Sequence, residues 1–181
     1  MSEQAGKYAR VELERRFLVH HLPEAIETER GWRISDRYLA NTQLRLRRMR
    51  PLNGGETLFK LGQKLVQSPP DFGRMTVTNI YLSAEEYAVL AALDALELHK
   101  RRYPFSHDGR LFGIDVFEEN LSGLVLAETS FETVEAMDQP LEFPPWIATE
   151  VSRDSRFTGG ALAGFDLKRA AELIRECKPH Q

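Results

Sequence analysis

Cysteine is nearly absent from this chain: Cys177 is the only one among 181 residues. A single thiol excludes an internal disulfide framework and suits a reducing compartment, and Cys177 itself reads as an ordinary helix residue. Long apolar runs are missing too. None approaches the roughly 18 to 20 residues of a membrane span, and the opening MSEQAGKYAR lacks the apolar centre of a signal peptide. A cytoplasmic protein with no membrane contact is expected. Nor is there an excess of either charge. With 24 Lys and Arg against 27 Asp and Glu, the formal charge is −3, which argues against a general nucleic-acid binder. The five histidines show no ligand spacing, and the His20–His21 pair reads as solvent-facing. Repeats and low-complexity tracts are absent. The two tryptophans, Trp32 and Trp146, are expected to pack in the core or the outer wall.

What the chain does have is charge at period two. In a strand, residues i, i+2 and i+4 share a face. Glu12, Glu14 and Arg16 therefore line one side of the first strand, and Val11, Leu13, Phe17 and Val19 the other. Two carboxylates about 6 to 7 Å apart on a rigid element suit a hard divalent cation, and the neighbouring guanidinium suits a phosphate oxygen. The pattern recurs at Arg45 and Arg47, at Lys60, Gly62 and Lys64, at Lys100 and Arg102, at Gly113, Asp115 and Phe117, and at Glu128 with Ser130. Cations fall on the middle strands and carboxylates on the first and last. Such sorting predicts a polar cavity built for a metal-bound polyanion.

The hydrophobic content of 42% and charged content of 28% are ordinary for a globule, and the length suits one domain over 1–181. Strands are expected at about 8–19, 32–40, 43–50, 56–66, 74–82, 96–105, 110–118 and 123–133. A short helix is expected at 22–27, a loop at 67–73, and a capping box at Ser83 and Glu86 opening a helix through Leu93, with Tyr87, Leu90 and Leu93 inward. Asp108-Gly109 predicts a hairpin turn. A loop carries Pro140, Pro144 and Pro145. A C-terminal helix over 166–177, within a helical segment at about 155–178, shows Leu167, Ala170, Ala171 and Ile174 at helical spacing. The fold class is α+β but predominantly β: a closed eight-stranded antiparallel barrel, its strands at about 8–133, with peripheral helices covering the apolar outside and charge turned inward.

The run Glu12 to Val19, ELERRFLV, resembles the ExExK signature of the CYTH family, also called triphosphate tunnel metalloenzymes. The similarity continues through Tyr38-Leu39, Leu44 to Arg47, Phe59 to Lys64, Lys100 to Tyr103, Asp115 to Phe117, Gly123 to Glu128 and Asp154 to Phe157. It implies an eight-stranded tunnel acting on triphosphates with Mg²⁺ or Mn²⁺, as inorganic, thiamine or RNA triphosphatase or class IV adenylate cyclase. By resemblance, Glu12, Glu14, Asp115 and Glu128 fall at metal carboxylates. Arg16, Arg45, Arg47, Lys64, Lys100 and Arg102 fall at phosphate-binding positions, with Lys60 added from the alternation. Tyr38 and Lys64 match a Tyr–Lys pair that assists water attack. Arg16 replaces the signature lysine. Thr76, Thr78, Gly113 and Ser130 stand where carboxylates are common.

These residues lead to an expectation of metal-dependent triphosphate hydrolysis by in-line attack of water, with tripolyphosphate the preferred substrate because no base-stacking pocket is legible. Lys64, crowded by cations, is expected to have a depressed pKa suited to a base. The alternatives are a weakened tunnel that binds polyphosphate or nucleotide without turnover, a class IV-type cyclase, and an open sheet that binds RNA. The last would need aromatic residues among the cations, and few are there. The partner is a triphosphate-containing small molecule, and the protein a monomer or homodimer.

Overall fold

The computed structural model describes residues 8–177, the side chains of residues 67 and 68 excepted. The predicted segment therefore loses its last residue, 178, and the opening seven residues also lie outside the described part. Nine strands form: β1 (Arg10–Val19), β2 (Trp32–Leu39), β3 (Leu44–Pro51), β4 (Leu58–Ser68), β5 (Asp71–Leu82), β6 (Ala95–His107), β7 (Arg110–Phe117), β8 (Val125–Phe131) and β9 (Ile147–Glu150). The helices are α1 (Ala84–Leu90), α2 (Val134–Asp138), α3 (Gly159–Ala163) and α4 (Leu167–Cys177). None is long and apolar enough to cross a membrane.

The sheet runs β5-β4-β3-β2-β6-β7-β8-β1, all antiparallel, and a β5–β1 pairing closes it into the expected eight-stranded barrel. Closure leaves part of one edge open. Residues 10–13 of β1 pair with β5, so the upper part of that edge is free, and the unpredicted β9 pairs with Phe17, Leu18 and Val19 there. A segment read as a Pro-rich loop is thus recruited because it satisfies backbone groups that β5 does not reach. Elsewhere turn chemistry holds. Asp108 (φ 48°) and Gly109 (φ 76°) form the predicted hairpin turn, where positive φ favours Asp and Gly.

Alternation sends the two faces of β1 to two different cores. Outward, Phe17 and Val19 pack with Phe112, Ile114 and Ala127, and Trp146 and Ile147 cover them. Trp146 stands edge-on to Phe112, with ring centres 5.1 Å apart. Inward, Leu18 joins Leu98, Phe117 and Leu126, and onto these pack Phe157, Leu162, Phe165, Ala170 and Leu173. The C-terminal segment therefore plugs one end of the barrel rather than jacketing the outside, because the inward face turns from charged to apolar at that level. This corrects the expected helical coat for the C-terminal helices, while α1 does lie on the outer wall, with Tyr87 against Phe59.

Other expectations also shift. Residues 22–27 form isolated turns and no helix; Ile26 N–H to the Pro23 carbonyl (3.1 Å) does not propagate. The predicted loop at 67–73 shrinks as β4 and β5 extend to a tight turn at Pro69-Pro70. The capping box at Ser83 and Glu86 forms, but α1 ends at Leu90, leaving Leu93 exposed and Tyr87 against Phe59. On α4 the inward residues are Ala170, Leu173 and Ile174, while Leu167 and Ala171 are exposed. The true stripe keeps Ala170 and Ile174 of the predicted one and has Leu173 and Cys177 in place of Leu167 and Ala171.

Candidate active site

Inside the barrel lies a cavity of about 490 Å³, within the range of small-ligand sites. Six cations line it: Arg16, Arg45, Arg47, Lys64, Lys100 and Arg102. Three carboxylates accompany them, Glu14, Asp115 and Glu128, and Tyr38 joins from β2. Seven strands, β1 to β4 and β6 to β8, aim these groups inward because their apolar alternates are consumed by the outer packing.

The charges are paired. Lys100, 6% exposed, donates from Nζ to Asp115 Oδ2 at 2.6 Å. Arg102 grips Asp115 with both Nε (2.7 Å) and Nη2 (2.6 Å) and also donates to Glu128. Arg16 donates from Nε to Glu128 Oε1 (2.9 Å) and from Nη1 to the Phe157 carbonyl (3.1 Å), tying the barrel to the plug. Lys64 Nζ lies 2.6 Å from Glu12 Oε2 and 3.8 Å from Glu14 Oε2. Lys64 is thus flanked by carboxylates, not crowded by cations as the sequence suggested. Lys60 points beyond the cavity and sits over the Tyr81 ring at 4.9 Å; it does not line the site.

Burial and pairing pull the ionisations apart. Burial raises the pKa of Glu128, but Arg102 and Arg16 outweigh it and hold the carboxyl well below its usual range. Glu14 goes the other way: burial and the charges of Glu128 and Glu12 raise it, against Lys64 and Arg16. Burial lowers Lys100 despite Asp115. Burial, with Asp36 second, raises Tyr38. The backbone around Tyr38 is fitted closely: a Cβ on Gly159 would lie 2.0 Å from its hydroxyl oxygen, so only glycine lets the plug approach.

Asp36 was missing from the sequence reading. It is 1% exposed and accepts two hydrogen bonds of 2.6 Å from Arg47, with Arg45 Nε 3.7 Å away. The alternation of Trp32, Ile34, Asp36 and Tyr38 carried the signal, since Asp36 shares a face with Tyr38.

No family model matches the chain. It is 30% identical over 158 residues to the inorganic triphosphatase of Nitrosomonas europaea, covering 84% of this chain and 96% of that protein. The crystal structure of the inorganic triphosphatase NE1496 superposes with a TM-score of 0.58 at 28% identity, over 86% of this chain and 95% of that one. The chain belongs to the CYTH family. The PH1819 protein of Pyrococcus horikoshii OT3 shares the fold at 16% identity, with a TM-score of 0.51 over 92% of this chain and 89% of that one.

Among CYTH proteins the acid-poor fifth strand now needs a different register. Met75 pairs with Glu12, and Val77 with Lys64, so Met75, Val77 and Asn79 share the inward face. Thr76 and Thr78 face outward, which corrects their assignment to missing carboxylates; a slip of one residue reverses every side chain of a strand. Gly113 and Ser130 lie on the inward face, paired with Glu128 and Glu14.

Proposed function

We propose that the chain hydrolyses tripolyphosphate in this cavity with a divalent cation, Mg²⁺ or Mn²⁺. The observation that carries the reading is the inward convergence of six cations around about 490 Å³, sized and charged for a short polyphosphate. Its support from known proteins is the inorganic triphosphatase relative.

The donor set is all carboxylate, the ligand type a hard cation takes. Glu14 lies among Glu12 and Glu128, and their mutual repulsion and burial raise its pKa, a strain that a bound cation relieves. Glu12, Glu14 and Glu128 would hold the ion, which would neutralise charge on phosphate oxygens. Asp115 has both oxygens taken by Lys100 and Arg102, and Glu128 both of its own by Arg16 and Arg102, so either would reach the ion only by releasing a basic side chain. Among the described residues no three carboxylates, histidines or cysteines converge as a ready-made metal site.

The chain's own groups perform the rest. Arg16, Arg45, Arg47, Lys100 and Arg102 hold the anionic chain and neutralise the charge on its terminal group. Tyr38 stays protonated at neutral pH, so it orients water as a hydrogen-bonding group. Lys64 bridges Glu12 and Glu14 and reaches the same space. We place this chemistry in the cytoplasm.

A second reading, polyphosphate capture without turnover, is favoured by the uncharged inward positions Met75, Val77, Gly113 and Ser130. One screen separates the two. Orthophosphate release is measured from tripolyphosphate, thiamine triphosphate, ATP and longer polyphosphates with each cation. Release greatest from tripolyphosphate and dependent on the cation supports hydrolysis. Binding without release supports capture, and cyclic AMP with pyrophosphate from ATP would overturn both.

A further inference from the structure

Arg45 and Arg47 alternate on β3 and look equivalent in sequence, yet the structure treats them differently. Arg47 is fixed: Nε and Nη2 each donate to Asp36 at 2.6 Å, a bidentate grip on a carboxylate with 1% exposure. Arg45 is not. Its Nε is buried and has no hydrogen-bond partner among the described residues; Asp36 Oδ1, 3.7 Å away, makes only a looser ion pair, and the guanidinium otherwise meets the Tyr38 side chain. A buried donor left unmatched is costly and is relieved only by an acceptor. The residue faces the cavity, where its guanidinium passes 3.7 Å from the position a Gly62 side chain would fill.

From this asymmetry we infer that Asp36 is a positioning residue: it locks Arg47, which then offers the ligand its charge but not its fork, and leaves Arg45 as the fork that closes on a phosphate group of the ligand. Asp36 serves as an internal stand-in for phosphate. It occupies one arginine, so that the pair does not collapse together on a bound anion. It also cancels part of the cavity's positive charge, which keeps the pyrophosphate product from binding too tightly to leave. The positioning of the two arginines rests on the phosphate-binding reading above but not on turnover; only the effect on product release needs turnover as well.

The test uses inorganic pyrophosphate, titrated calorimetrically into the full chain with a chelator present, alongside steady-state turnover of tripolyphosphate. Both Arg45→Lys and Arg47→Lys keep the charge and remove the fork. Arg45→Lys is expected to weaken pyrophosphate at least tenfold and Arg47→Lys threefold or less. In an Asp36→Asn background the two losses become equal. Asp36→Asn alone lowers kcat at least tenfold and leaves pyrophosphate binding as tight as in the native protein or tighter, whereas a merely structural residue would lower the melting temperature and leave that split unmoved. If Asp36→Asn does not fold, the two lysine variants decide. Equal losses from Arg45→Lys and Arg47→Lys, or weaker pyrophosphate binding in Asp36→Asn, overturn the inference. Native protein that binds pyrophosphate with this asymmetry but hydrolyses nothing overturns the hydrolytic reading and leaves the role of Asp36 standing. Native protein that does not bind pyrophosphate overturns both.

Discussion

Lys64 and Lys60 sit on the same face of β4, four residues apart, yet their surroundings separate them. Lys64 bridges Glu12 and Glu14 inside the cavity, while Lys60 packs over Tyr81 beyond it. Lys64→Ala should lower turnover of tripolyphosphate at least about tenfold, in line with loss of one stabilising donor. Lys60→Ala should stay within twofold of native; equal effects in steady-state assays would contradict the assignment. Glu14 carries a sharper prediction. Its carboxyl is strained by burial and by Glu128, so Glu14→Gln should leave the melting temperature unchanged or higher at neutral pH while cutting divalent-cation affinity at least about tenfold. Calorimetric titration with Mg²⁺ and Mn²⁺ reads the second effect and a thermal melt the first. Lower stability together with unchanged cation binding would remove Glu14 from the metal set.

At the scale of the element, the barrel strands were legible because alternation is a strong signal when each face has a distinct destination. Even so, β5 was read out of register. Arg74-Met75-Thr76-Val77-Thr78 alternates between polar and apolar, and its polar residues were assigned inward. In fact the apolar Met75 and Val77 face in, beside Glu12 and Lys64. Polarity pattern alone cannot orient a strand whose barrel is charged inside and apolar outside, because both faces of the molecule then invert the usual rule. Substituting Val77→Glu with Asn79→Glu should therefore tighten divalent-cation binding, whereas Thr76→Glu with Thr78→Glu should leave a metal titration unchanged. β9 was illegible for another reason: its four residues form a strand only because β1 leaves part of its edge unpaired. The plug was seen as a helix but not as a stopper. Its key contact, Gly159 against Tyr38, depends on an absent side chain that no pattern reports. Gly159→Ala should cost about 1–3 kcal/mol in urea unfolding, the usual range for overpacking, and displace Tyr38 enough to lower turnover.

For the whole molecule, the network of buried ion pairs ties stability to pH. Asp36 and Glu128 ionise below their ordinary ranges in the folded protein, Asp36 against its burial through Arg47 and Arg45, and Glu128 through Arg102 and Arg16. The folded state therefore binds fewer protons than the unfolded one. The resulting stability is present above the ordinary carboxylate values of 3.8 and 4.5 and is lost as pH falls through the lower folded values. Glu14 is raised, so its favourable contribution lies below its ordinary value and is lost as pH rises through the folded one. Melting temperatures measured from about pH 5 down to about pH 2 should fall, and Asp36→Asn should flatten that acid limb. An unaltered limb would mean that the Asp36 pair does not contribute.

The same network is also the ligand-free image of the proposed chemistry, since every cation that would hold a polyphosphate, apart from Arg45, now donates to a carboxylate. Arg102 stands at its centre, bonded to both Asp115 and Glu128. The most direct measurement is orthophosphate release from tripolyphosphate by the native protein and by Arg102→Met, with and without Mg²⁺ or Mn²⁺. Cation-dependent turnover in the native protein, reduced at least about a hundredfold in folded Arg102→Met, is the predicted result. No release with any cation, or full release from Arg102→Met, would contradict it.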